Sequence, residues 1–263
     1  MNASPYGATR QDLRAPRAPA SLAARAQMAL AVALSTVVMG VGCLLLFFVG
    51  VVTLFRARRL YAEVIVRYMS RLALWLFGVR MVVHREFDSP QQQTVFISNH
   101  TSTLDMFVII ALGLPNSRYF LSGFLRKIVP LWFIGWMIGV FWTALQRYPE
   151  RRTQIFQNAE RVLRRTGESV FLTPEGQITG VFNKGAFHLA TNLRAPIVPI
   201  YIHIANEVDP GPWFGGDGLA IRSGVVHVYF RPPIETTDWR LEDLDANRNR
   251  VRDLYAEWKE ELS

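Results

Sequence analysis

Hydrophobic residues are unevenly distributed along this chain. From Ala26 to Phe55 thirty consecutive residues carry no charge. A helix crossing a bilayer needs roughly 20 such residues, so this stretch is expected to be membrane-embedded. A signal peptide fits less well, since its apolar core would be about 7–15 residues long and closer to the start. Gly40-Val41-Gly42 interrupts the stretch near its middle. Arginines flank both ends, with Arg10, Arg14, Arg17 and Arg25 before it and Arg56, Arg58, Arg59, Arg67 and Arg71 after it. The preference for positive cytoplasmic flanks therefore gives a near tie. A shallow helical hairpin with both ends cytoplasmic accounts for that tie and is slightly preferred. A single span with a cytoplasmic C-terminal side is the alternative.

From Arg56 to Phe77 the apolar residues Leu60, Val64, Ile65, Tyr68, Leu72, Trp75 and Leu76 recur at helical spacing, with arginines between them. The pattern predicts an amphipathic helix suited either to the lipid headgroup layer or to packing on a folded domain. Beyond Gly78 the pattern changes. Runs rich in Val, Ile and Phe predict strands at Val79–Arg85, Thr94–Ser98, Ser169–Thr173, Ile197–Ile204 and Val225–Phe230. Helical spacing predicts helices at Thr153–Thr166, Lys184–Leu193 and Leu241–Leu262, the last capped by Thr237 or Asp238. A second uncharged stretch, Ile128–Leu145, contains Pro130, Gly135, Gly139 and three of the seven tryptophans. It fits a surface dipping into one leaflet, or a buried element, better than a second transmembrane helix. Strand–helix alternation predicts an α/β fold with one sheet flanked by helices. Three regions follow: a disordered basic tail at 1–25, a membrane anchor with an interfacial helix at 26–77, and a folded domain at 78–263.

Composition narrows the classes. The chain has 263 residues, half of them hydrophobic and 19% charged, against about 25% charged in average proteins. Its lone cysteine, Cys43, excludes an internal disulfide framework and a cysteine-based zinc site. The net charge is +8, from 29 Lys+Arg against 21 Asp+Glu. An oily, basic chain points to nucleic acid or to anionic lipid. The arginines cluster around the anchor and on Arg147–Arg165, and no base-reading motif occurs, so lipid is favoured and no nucleic-acid partner is expected.

Common nucleophile, phosphate-loop, dinucleotide and zinc-protease signatures are absent. What stands out is NHTSTLD, Asn99 to Asp105, directly after the strand TVFIS. Five helical steps of about 100° leave two side chains some 140° apart. The pair can meet if His100 sits on the loop before the helix and Asp105 lies one turn in. Thr101, Ser102 or Thr103 would then be the N-cap. Asp105 would fix one imidazole nitrogen and leave the other free to take a proton. Alone, this spacing is more often a satisfied histidine on a polar loop. FLTPEGQ, Phe171 to Gln177, places Glu175 on a turn at another strand end, where α/β sheets build their sites. FNKGAFHLA (Phe182–Ala190) and APIVPI from Ala195 follow. Arg147 closes the second oily stretch, where it could hold a phosphate or snorkel.

In this order the blocks resemble the glycerolipid acyltransferase family, whose pattern is NHxSxxD, a GxxFIxR-type block, FPEGT and VPI. The resemblance covers roughly Val79 to Phe230. It implies a single mixed sheet flanked by helices. It implies His100 as general base and Asp105 as its orienting partner, with Asn99, Ser102, Arg147, Glu175, Gly176 and Lys184 at the substrate. The acyl donor would be a thioester of coenzyme A or acyl carrier protein and the acceptor a lysophospholipid, with membrane lipids as partners. No cofactor, metal or covalent intermediate would be needed, and the domain would face the cytoplasm. The chain departs from the pattern at TPEGQI, where Thr173 and Ile178 stand for an aromatic residue and an arginine. GVFWTALQR has two extra residues, and GFLRKI replaces the usual KxEL element. The acceptor therefore stays open between 1-acyl-sn-glycerol-3-phosphate and another lyso-lipid such as an aminolipid. An inactive lipid-binding member is the further alternative.

Overall fold

The computed structural model describes residues 22–85, 87, 90–100, 102, 104–145, 147–175, 181–205, 208 and 223–262. The expected basic tail lies outside the described residues as far as residue 21. Helix α1 (Leu22–Val52) is unbroken, so the apolar stretch does not fold back at Gly40-Val41-Gly42, and the hairpin expectation is corrected. Gly42 serves packing instead, because a side chain there would run into Met69 of the helix alongside. Within α1, Ala29–Val52 is long and apolar enough to cross a membrane by length and composition. The chain reverses at Leu54 and Phe55, which take positive φ of 51° and 57°.

Helix then resumes without a break over 58–76, as α2 (Arg58–Leu60), a π-helical turn (Tyr61–Val66) and α3 (Arg67–Leu76). The packed reading holds for one face of this segment. Tyr61, Ala62, Val66, Ala73 and Leu74 are buried against the body, while Leu60, Val64, Tyr68, Leu72 and Trp75 stay exposed on the other side. Arg58 and Arg118 both pair with Glu168, and Arg58 also donates to the Ser117 carbonyl at 3.2 Å. That clamp fastens the segment to the body.

Seven strands among the described residues form one sheet in the order β1-β7-β6-β2-β5-β3-β4. They are β1 (Val79–Arg85), β2 (Val95–Ser98), β3 (Ser117–Ser122), β4 (Phe141–Thr143), β5 (Ser169–Leu172), β6 (Ile197–Ile204) and β7 (Gly224–Phe230). Only β6 and β7 pair antiparallel, so the sheet is mixed. The helices are α4 (Asp105–Leu112), α5 (Val129–Met137), α6 (Pro149–Thr166), α7 (Gly185–Leu193) and α8 (Leu244–Glu261). Strand alternation divides the core in two. Phe96, Phe171 and Ile200 face α3 and α4, whereas Val95, Ile97, Val170 and Leu172 face α6, α7 and α8.

β3 and β4 are additions to the expected strands. Polar residues at both ends of SRYFLS mask the first, and the second lies inside the uncharged stretch 128–145. That stretch folds as α5, a turn at Gly139 with φ 71°, and β4, leaving Val129, Trp132 and Trp136 exposed. Helix α6 starts at Pro149 rather than Thr153, because proline opens it and its first turn is charged, which hides the apolar periodicity. Thr237 and Asp238 do not cap α8. Trp239 N–H bonds the Thr236 carbonyl to close a separate turn, and a 3-10 turn at Leu241–Asp243 leads into the helix.

Candidate active site

β2, β5, β3 and β4 run parallel, so the segments after them converge on one edge of the sheet, the usual place for a site in an α/β fold. Asn99 comes first after β2, and it is buried. Its amide donates to the Ile202 carbonyl at 2.9 Å and accepts from the Ile202 N–H at 2.8 Å. It thus adds one rung to the β2–β6 ladder and fixes the loop at His100.

His100 Nδ1 lies 2.8 Å from Asp105 Oδ2. The geometry is the one expected of histidine on the loop and aspartate on the helix, except that Asp105 is the first residue of α4. The same Oδ2 accepts from Ser102 N–H at 3.0 Å. Ser102 is fully buried. Its Oγ accepts from Leu104 N–H at 3.2 Å, and its carbonyl accepts from Asp105 N–H at 3.3 Å. The N-cap of α4 is Leu104, without a side-chain cap bond, so the expected cap at Thr101, Ser102 or Thr103 is corrected: Ser102 closes the turn before the helix instead, and the side chains of Thr101 and Thr103 lie outside the described residues. Because the N–H groups of Ser102, Leu104 and Asp105 are all engaged, none of them is spare for an oxyanion.

Burial opposes charge on His100, but the hydrogen bond to Asp105 and the charges of Asp105 and Glu175 outweigh it. The imidazole is held above its usual pKa. Glu175 is buried after β5, and Asn183 shapes that turn. Its side chain donates to the carbonyls of Pro174 at 2.9 Å and Glu175 at 3.1 Å. Tyr255 of α8, buried, donates to the Ile97 carbonyl at 2.9 Å and accepts from Ile200 N–H at 3.2 Å. It braces the strand ends beneath His100. Asn183 sits inside a motif already singled out. Tyr255 had no local signal, being brought there by long-range packing.

A cleft of about 940 Å³ opens from His100 and Asp105 across the sheet edge. Phe120, Phe141, Ile155 and Phe156 form apolar wall, and Arg126, Lys127, Arg151 and Arg152 also line it. Arg147 is not among its lining residues; its guanidinium lies over the Tyr148 ring at 5.0 Å. Lys184 pairs with Asp245 at 2.7 Å, also off the lining. Gly176 lies outside the described residues. No group of three or more His, Cys, Asp or Glu among the described residues is placed to hold a metal ion.

A His–Asp pair at the carboxyl edge of a helix-flanked mixed sheet, above an apolar cleft, suits activation of a hydroxyl beside a long apolar substrate. The family model described as Acyltransferase matches residues 80–203, which includes His100, Asp105 and Glu175. The match supports the glycerolipid acyltransferase family, and the chain is an enzyme that transfers acyl groups. It is 26% identical over 215 residues to a 1-acyl-sn-glycerol-3-phosphate acyltransferase of Limnanthes alba, covering 76% of this chain and 69% of the relative. The corresponding alpha enzyme of Ovis aries is 27% identical over 206 residues, with 75% and 69% covered. Among solved structures, the 1-acyl-sn-glycerophosphate acyltransferase PlsC of Thermotoga maritima shares the fold. Its TM-score is 0.71 at 18% identity, covering 92% of this chain and 98% of that one.

Proposed function

We propose that this protein moves a fatty acyl group from a thioester of coenzyme A or acyl carrier protein to the hydroxyl of a lysophospholipid. The acceptor we favour is 1-acyl-sn-glycerol-3-phosphate, the acceptor in the relatives' names. The observation that carries the reading is His100 held by Asp105 at 2.8 Å on the lining of an apolar cleft. With Nδ1 occupied, Nε2 is the nitrogen left to take the proton of the acceptor hydroxyl. The hydroxyl oxygen attacks the thioester carbonyl, and the tetrahedral oxyanion collapses to the ester. The thiolate leaves and takes the proton back from the imidazolium. Asp105 holds the tautomer and offsets the charge on the ring. Holding both substrates in one cleft supplies much of the acceleration.

The reading seats α1 in the membrane, with the sheet edge on the cytoplasmic side and lipid entering from the leaflet. Its test is transfer of a labelled acyl group from palmitoyl-coenzyme A to 1-acyl-sn-glycerol-3-phosphate in vesicles. His100→Ala is expected to lower turnover by about 10²–10⁴-fold, with the melting temperature little changed. Unchanged turnover overturns the base assignment.

A further inference from the structure

Beneath the site lies a buried polar group that the mechanism above does not use, the hydroxyl of Tyr255. Tyr255 stands on α8, 55 residues after Ile200 and 158 after Ile97, far from every motif in the sequence. A hydroxyl taken out of water is costly unless it is bonded, and this one is bonded to both members of one strand pair. It donates to the Ile97 carbonyl and accepts from the Ile200 N–H, with the Ile200 carbonyl a further acceptor at 3.3 Å. β2 and β6 run parallel, with Ile97 opposite Pro199 and Ser98 opposite Ile200. Parallel ladder bonds are slanted, and Pro199 has no N–H to give. The Ile97 carbonyl and the Ile200 N–H are therefore the two halves of one rung, and the hydroxyl takes part in it. Burial pushes the phenol well above its ordinary pKa, so the oxygen keeps its proton to donate.

Two side chains in succession thus couple β2 to β6: Tyr255 at Ile97 and Ile200, then Asn99 at Ile202. His100 follows directly. The ring of Tyr255 reaches the other arm of the site. It meets Phe182 edge-on, with centroids 5.3 Å apart, and the next residue, Asn183, holds the carbonyls of Pro174 and Glu175. One side chain of α8 therefore supports the His100 loop with its oxygen and the Glu175 turn with its ring. The charges that act on His100 are those of Asp105 and Glu175. Asp105 travels with His100 in one short segment, whereas Glu175 comes from another strand, so the spacing of the two arms depends on what ties them. Tyr255 does not line the cleft, so whatever it does for the reaction it does through other residues. Building on the acyl-transfer reading above, we propose that Tyr255 is a positioning residue: its hydroxyl fixes the end of β2 against β6 and so holds His100 in place relative to Glu175 and the acceptor.

The experiment compares the full chain with Tyr255→Phe, which removes one oxygen and keeps the ring, in the vesicle assay given above. Val251→Ala, buried on the same helix, is the control for lost packing alone. Misplacing a reacting group by about 1 Å costs about 10²-fold in rate. In Tyr255→Phe, kcat per folded enzyme should therefore fall about tenfold or more, with KM within a few-fold, while Val251→Ala keeps its kcat. As His100 drifts from Glu175, the acid limb of kcat/KM should move to lower pH in Tyr255→Phe. That shift should vanish when Glu175→Gln is already present. The proposal is overturned if Tyr255→Phe keeps its kcat, if Val251→Ala loses as much, if the acid limb stays in place, or if its shift survives Glu175→Gln. Should Tyr255→Phe fail to fold, Phe182→Leu loosens the same ring, keeps the hydroxyl and carries the test under the same criteria. If the native chain transfers nothing, the acyl-transfer reading fails, and the positioning is read instead from the NMR titration of the His100 ring. A shift to lower pH in Tyr255→Phe upholds it, and an unmoved titration overturns it.

Discussion

The ionisation of His100 is set by opposing forces that single substitutions can separate. Burial favours the neutral ring, while Asp105 and Glu175 favour the charged one and prevail. A general base works in its neutral form, so a raised pKa moves the acid limb of the rate profile upward in pH. Glu175→Gln removes one of the charges that hold it up. The acid limb of kcat/KM is expected to shift to lower pH, and a profile over pH 5–9 checks it (about the range where histidine titrates). Asn99 makes a different kind of contribution. Asn99→Ala leaves the buried N–H and carbonyl of Ile202 without their partner, at a cost of about 1–3 kcal/mol. Thermal unfolding should register that loss. The His–Asp pair was legible because both residues and their spacing lie within one short segment. The bracing by Asn99 and Tyr255 was not, since each acts on backbone groups far away in sequence.

Elements were readable where side-chain period and fold agree. β1 and β6 run over the residues their β-branched runs predict. β4 was hidden because a strand inside a continuous apolar run has no contrast with its neighbours. The break expected at Gly40-Val41-Gly42 failed for a related reason: glycine marks close approach as well as flexibility, and only the position of Met69 decides between them. The clamp on the 58–76 segment depends on Glu168, which is buried between two guanidinium groups. Burial, with the nearby charge of Arg118, already pushes Arg58 down to about 10. Glu168→Gln would leave two cations facing each other without a counter-charge. Breaking a buried pair costs about 3–5 kcal/mol, so chemical denaturation should show a marked loss of stability.

At the scale of the whole molecule, the exposed apolar surface is concentrated in connected elements. α1 packs on α3 and α5. Outward from this group point Phe48 of α1, Leu72 and Trp75 of α3, and Trp132 and Trp136 of α5. The sequence showed the quantity of oil and its alternation with arginine, but not that separate segments would share a layer. The proposed membrane seat predicts that vesicles containing doxyl-labelled lipid quench part of the tryptophan emission. Trp75→Phe should reduce the quenched fraction. If emission is unaffected by the label, these faces do not meet the bilayer.

One pairing also bears on how the chain is made. β1 follows the helical segment 58–76 almost at once, yet its partner is β7, in the last part of the chain, where Val79 meets Gly224. During translation β1 emerges well before β7, and it waits with an unpaired backbone edge until β7 has left the ribosome. Such long-range closure is slow and exposes strand edges in the meantime. Arg80 and Arg85 put charge on that waiting strand, a common guard against unwanted edge pairing. Closing this pair thus waits on a strand made long after β1, beside helices made before either.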